Sequence, residues 1–160
     1  MEELWSFFLG LSVTTEELKD VEHIIKPLRV AVLLSLDYFS YAKEKRNQEW
    51  DSRPIVHALP VVMAEHGMSE GATMDFIRAR ILEAEEEHTV ALKAFEDTHS
   101  MPDRVREYIM AARFRTAGFH VWASCAPRYH NVVYGRNVDN VPSYTGIESF
   151  WSWITTSLGF

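Results

Sequence analysis

Residues 27–48 read PLRVAVLLSLDYFSYAKEKRNQ, from Pro27 to Gln48, and the spacing within them decides the fold. Apolar side chains recur at Val30, Leu33, Leu34, Tyr38 and Tyr41, the interval at which a helix returns to one face. The unbroken part, Val30 to Leu34, ends at Ser35, far too short a run to span a bilayer. This is the pattern of a long amphipathic helix in a water-exposed protein.

The same reading extends in both directions. Upstream, Glu2 to Leu9 can form a short helix ended by Gly10. Thr14-Thr15-Glu16-Glu17 has the form of a capping box, in which the Thr14 hydroxyl and the Glu17 carboxylate each satisfy an amide of the other's turn. The helix it starts runs to about Lys26, where Pro27 kinks it or begins a new one. Downstream, Pro54 opens a helix to about His66, with a bend at Pro60 and a stop at Gly67. Ser69 caps a long helix to about His99, whose apolar members are Phe76, Ile77, Ile81, Val90, Leu92 and Phe95. Pro102-Asp103 starts a last long helix that ends near Cys125, before Pro127. Residues 130–146 are rich in Asn, Gly, Asp, Pro and Ser and read as loop, and Ile147 to Leu158 as a terminal helix. No window alternates with the period of a strand. The expected fold is therefore all-α, an antiparallel helical bundle forming a single domain over residues 1–160.

Composition narrows the function. A net charge of −7 gives no basic field for nucleic acid or an anionic membrane. The single cysteine, Cys125, cannot form an internal disulfide, and Met1-Glu2-Glu3 is acidic where a secretory leader is basic. Both features point to the cytoplasm. Nine Phe, six Tyr and five Trp suit either a filled core or an aromatic-walled pocket.

Two sets of residues can carry chemistry. Ser40, Lys43 and Glu44 fall within about 100° of one another on the Pro27–Gln48 helix. A hydroxyl and a carboxylate one turn apart can ligate a hard cation such as Mg²⁺, and an ammonium beside them can hold phosphate. The alternative is a solvated, charged helix end, since Lys43-Glu44-Lys45-Arg46 is a common kind of surface run. The second set is Pro127-Arg128-Tyr129, where Arg128 offers a planar fork for phosphate oxygens and Tyr129 a hydroxyl donor. Two Glu-x-x-His units, Glu85/His88 and Glu96/His99, match the di-iron pattern but lie three turns apart on one helix, on what reads as its wet face. Glu83 to Glu87 reads as solvated, and His120 as a lone helix histidine, either structural or a proton shuttle.

In order along the chain, these motifs resemble class I terpene cyclases, especially the fungal ones. Leu36-Asp37-Tyr38-Phe39-Ser40-Tyr41-Ala42-Lys43-Glu44 is similar to their N-D-x-x-S-x-x-K-E motif. Glu65-His66-Gly67 followed by Ser69-Glu70 looks like the helix-loop-helix that comes next. Gly118-x-x-x-Trp122-x-x-x-x-Pro127-Arg128-Tyr129 is similar to the fungal ending G-N-x-x-W-…-P-R-Y, and Leu9 to Glu17 looks like the turn and acidic cap before the metal-binding helix. The resemblance covers about residues 3 to 130 and corresponds to the C-terminal half of that fold.

The resemblance implies a helical cup whose Mg²⁺ ions grip a prenyl diphosphate while the carbocation cyclises against aromatic faces. It would assign Ser40 and Glu44 to Mg²⁺ and Lys43, Arg128 and Tyr129 to diphosphate. Tyr38, Phe119 and Trp122 would stand at the cup wall, through cation–π stabilisation, or in the core. Departures from the pattern leave Mg²⁺ binding weakened or lost. Leu36 stands where the motif has a ligating Asn, and it continues the apolar spacing as a core position would. Phe119 replaces another Asn, and no Asp-rich motif is present. Half a cup would expose apolar surface, so a homodimer or a complementing helical chain is expected as partner, with a terpenoid or prenyl diphosphate as ligand. Three readings stay open: a Mg²⁺-dependent cyclase completed by the missing half, a metal-independent cyclase or isomerase acting on a preformed terpenoid, and a non-catalytic remnant that binds a lipophilic ligand or partner.

Overall fold

The computed structural model describes residues 10–51 and 55–130, with side chains given for all of them except 49–51. Five α-helices and a 3₁₀ turn follow in order: α1 (Thr15–Asp20), α2 (Glu22–Asp51), α3 (Ala58–His66), α4 (Glu70–Thr98), α5 (Asp103–Cys125) and η1 (Pro127–Tyr129). No strand occurs among the described residues, so the fold is all-α. The helices expected at residues 2–9 and 147–158, and the loop at 131–146, lie outside the described residues.

The helix starts follow local chemistry. Thr14 Oγ1 accepts the Glu17 N–H at 3.2 Å, and the Glu17 carboxylate accepts the Thr14 N–H at 2.9 Å. Glu17 also receives the Arg104 guanidinium, which ties the start of α1 to that of α5. Ser69 Oγ accepts the Ala72 N–H at 3.3 Å. Gly67 ends α3 at φ 62°, a left-handed conformation that costs glycine little.

Two described prolines, Pro27 and Pro60, lie inside α-helices, and Pro27 does not begin a new one. Pro27 lies within α2 and the helix runs through it. A proline there leaves the carbonyl four residues back, that of His23, without its helical amide; the Ile24 carbonyl beside it receives the buried His88 side chain through Nδ1 at 2.7 Å. Pro60 is the third residue of α3, where an amide has no helical partner, so it need not bend the helix. Pro54, expected to open the next helix, lies outside the described residues, and α3 as described begins at Ala58. The cause is tertiary: the Asp37 carboxylate, from α2, accepts the Ala58 N–H at 2.7 Å.

α2 is the axis of the molecule, packed along both α4 and α5. Its first turns place Val21, Ile24, Ile25 and Leu28 against Met101, Val105, Tyr108, Ile109 and Ala112 of the α5 region, with Leu92 and Phe95 of α4 alongside. Further on, Ala31 and Tyr41 meet Leu59, Ile77, Ile81 and Ala84. Each fully buried aliphatic side chain contributes about 1.5–3 kcal/mol. The order of these contacts makes α2 antiparallel to α4 and parallel to α5. A third cluster, Ala123, Ala126 and Tyr129 with Phe39 and Phe119 against it, closes the C-terminal end of α2 against η1.

Candidate functional site

The C-terminal half of α2 carries the first set of residues. Ser40 is buried at 6% exposure, while Lys43 and Glu44 are half-buried one turn on. The Lys43 ammonium donates to Glu44 Oε1 at 2.5 Å, and Asn47 Nδ2 donates to the other carboxylate oxygen at 3.4 Å. The Lys43 hydrogen bond holds the Glu44 carboxyl below the usual carboxylate range. The two charged residues thus neutralise one another in this structure.

Asp37, which the motif resemblance also covers, has a different job. Besides capping α3 it sits 3.9 Å from His57 Nδ1, fixing the α2–α3 corner one turn before Ser40.

The second set meets the first through aromatic rings. Phe39, next to Ser40, stands edge-on to Tyr38 at 5.2 Å between centroids. Phe39 and Phe119 both pack against the cluster containing Tyr129, which is buried. Trp122 lies 5.7 Å from Phe119 and edge-on to Tyr129 at 5.6 Å, and the Arg128 guanidinium sits 5.3 Å above the Tyr129 ring. Phe119, Trp122, Arg128 and Tyr129 are therefore gathered against the middle of α2 at Phe39, whereas Tyr38, though edge-on to Phe39, packs with the Ala31 and Tyr41 cluster. Lys43 is turned to Glu44.

Leu36 departs from its sequence reading. It is 37% exposed, and Leu33 on the same side of α2 is 63% exposed, so neither belongs to the core. Counted at 100° per residue, Leu33, Leu36 and Ser40 share one stripe. Trp122 of α5, within the aromatic cluster, is likewise exposed, at 46%.

The acidic run of α4 also reads differently in three dimensions. Glu83, Glu86 and Glu87 are exposed, but Glu85 turns inward to His120, whose Nδ1 lies 3.4 Å from Glu85 Oε1. His88 is buried, whereas Glu96 and His99 are exposed, so the two Glu-x-x-His units do not converge. Among the described residues no three His, Cys, Asp or Glu side chains gather as a metal-holding group. His120 further contacts Ser35. The signals in the sequence that could have found this node are the serine interrupting the apolar run and the lone helix histidine.

No described helix is long and apolar enough to cross a membrane. Residues 2–87 match the family model "Terpene synthase family 2, C-terminal metal binding". The chain is also similar to fungal enzymes. It is 24% identical over 125 residues to sesterfisherol synthase of Neosartorya fischeri, covering 78% of this chain and 16% of that protein. It is 25% identical over 152 residues to ophiobolin F synthase of Aspergillus clavatus, covering 93% and 20% respectively. To a terpene cyclase of Stachybotrys chlorohalonatus it is 25% identical over 130 residues, covering 81% and 34%. The chain thus spans a fifth or less of the first two relatives and a third of the last.

Proposed function

The chain belongs to terpene synthase family 2, matching its C-terminal metal-binding model over more than half its length, and on that premise we propose that it forms one wall of a diphosphate-recognising site in terpenoid biosynthesis. The observation that carries the reading is the approach of the 119–129 segment to α2, through the packing of Phe39, the neighbour of Ser40 in sequence, against the cluster of Ala123, Ala126 and Tyr129. Ser40 and Glu44 supply oxygen donors of the kind Mg²⁺ takes, but the third position of that stripe, Leu36, has none. The donor set fits a weakly held ion. A bound Mg²⁺ neutralises diphosphate oxygens and so favours their departure.

The chain's own residues have separable roles. Lys43 and Arg128 provide positive charge for phosphate oxygens, Lys43 by exchanging its Glu44 partner for the ligand and Arg128 by its planar fork. Tyr129 holds the 3₁₀ turn in place, and Tyr38, Phe119 and Trp122 present ring faces to an apolar or cationic ligand. The exposed Leu33, Leu36 and Trp122 call for cover. In this reading the remaining helices of the cyclase fold supply it, in the same polypeptide or another, or a second copy of this chain does.

The test is an assay of the chain, alone and with polypeptides carrying the complementary half of the fold, against prenyl diphosphates of graded length with Mg²⁺. Diphosphate release in a completed assembly, lost on Arg128→Ala, is the expected result. No release and no pyrophosphate binding in any combination would retire the proposal. Leu36 favours a second reading, in which the site acts without metal on a preformed terpenoid. Turnover that survives EDTA would select it.

A further inference from the structure

Three helices meet at a polar point in an otherwise apolar interior. Ser35 of α2, Glu85 of α4 and His120 of α5 come together there, with Ser35 and His120 only 1% and 3% exposed. Ser35 Oγ lies 2.7 Å from the Ala31 carbonyl and 2.5 Å from His120 Nε2. The far side of the ring, Nδ1, is 3.4 Å from Glu85 Oε1.

Counting protons fixes the direction of both Ser35 bonds. A carbonyl oxygen can only accept, so the single hydroxyl proton of Ser35 goes to Ala31. Ser35 Oγ must then accept, which puts the ring proton of His120 on Nε2. In the neutral ring Nδ1 becomes an acceptor, and Glu85 can serve it only as a carboxylic acid.

We propose that Glu85, His120 and Ser35 form a one-way donor chain ending on the Ala31 carbonyl, and that this chain is a pH-sensitive latch holding α2, α4 and α5 together while Glu85 keeps its proton. Burial supports those protonation states, raising the Glu85 carboxyl to about 8 and lowering the His120 imidazole to about 4.

The surrounding charges are engaged or set apart. On α4, His88 is one turn beyond Glu85, with Nδ1 on the Ile24 carbonyl. On α5, Arg113 lies two turns before His120 and acts on His88, while Arg115, which has a partner of its own, is on the helix flank. On α2, Arg29 is paired with Glu22 and Asp37 is bonded to the Ala58 amide. The packed ends contribute Arg128, exposed on η1, and His57 beside Asp37 at α3.

The two titrations oppose one another. Glu85, raised from 4.5, contributes stability that is complete below 4.5 and lost as pH rises through about 8. His120, lowered from 6.5, contributes stability that is complete above 6.5 and lost as pH falls through about 4. Between 4.5 and 6.5 the slopes cancel, which leaves a net loss between 6.5 and 8. There the folding constant falls by up to about tenfold per pH unit.

Urea unfolding of the full chain at several pH values from 6 to about 8.5 tests this, comparing wild type with Glu85→Gln, which keeps a donor toward Nδ1 but cannot ionise. The folding constant of wild type should fall between 6.5 and about 8, and that of E85Q should not fall anywhere in the window but rise about fourfold as His120 of the unfolded chain loses its proton. Parallel curves would overturn the latch. Should E85Q not fold, the ¹⁵N shifts of His120 in the wild type near pH 6 decide instead. A neutral Nε2–H tautomer supports the chain, and an imidazolium or an Nδ1–H tautomer overturns it.

Discussion

The Asp37 carboxylate of α2 accepts the Ala58 amide hydrogen of α3 at 2.7 Å, so the helix that carries Ser40 also starts the helix that follows it. The residue preceding Ala58, His57, makes no capping hydrogen bond of its own. Asp37→Ala should therefore cost about 1 kcal/mol, as loss of a helix cap does. Chemical unfolding will measure it, and Asp37→Asn, which keeps an acceptor, should recover most of the loss.

Tyr129 is buried, and Phe39 of α2 packs against the cluster it forms with Ala123 and Ala126. Removing a buried aromatic side chain costs about 3–5 kcal/mol. Tyr129→Ala should fall in that range, whereas Tyr129→Phe should be far milder. If the hydroxyl also meets diphosphate, Tyr129→Phe will weaken pyrophosphate binding while leaving the unfolding midpoint nearly unchanged.

Arg128 is exposed and stacked on the ring beside it. Arg128→Ala should change stability by no more than about 0.5 kcal/mol. Its effect belongs in pyrophosphate titrations, where weaker binding is expected and where Arg128→Lys should not fully restore it, since lysine lacks the fork.

Leu36 occupies an exposed position on the Ser40 stripe. Leu36→Asn adds an oxygen there without opening a core cavity. Mg²⁺ affinity in the presence of pyrophosphate should rise by about tenfold or more, by analogy with losses seen when metal-site partners are removed. Calorimetry with and without the substitution is the check.

Glu17 titrates in the opposite sense to Glu85. The Thr14 amide, together with Arg104, holds its carboxyl below 4.5. Its contribution is present above 4.5 and lost as pH falls through the folded value. Glu17→Gln should lower Tm at neutral pH and flatten the acid side of the Tm profile.

What the sequence determined by itself is local. The capping box at Thr14, the stop at Gly67, the cap at Ser69 and the period of residues 27–48 act within one turn or one helix, so they were legible as spacing. The grouping of Ser40, Lys43 and Glu44 on one side of α2 was legible for the same reason. Tertiary structure alone decided which side of each helix is wet. Leu36 continues an apolar pattern yet is exposed, because burial depends on what packs opposite; Glu85 sits in an acidic run yet is partly buried, because α5 brings His120 to it. The start of α3 at Ala58 likewise depended on a carboxylate 21 residues away. Periodicity reports the geometry of a single helix, whereas the environment of a side chain is set by its neighbours in space.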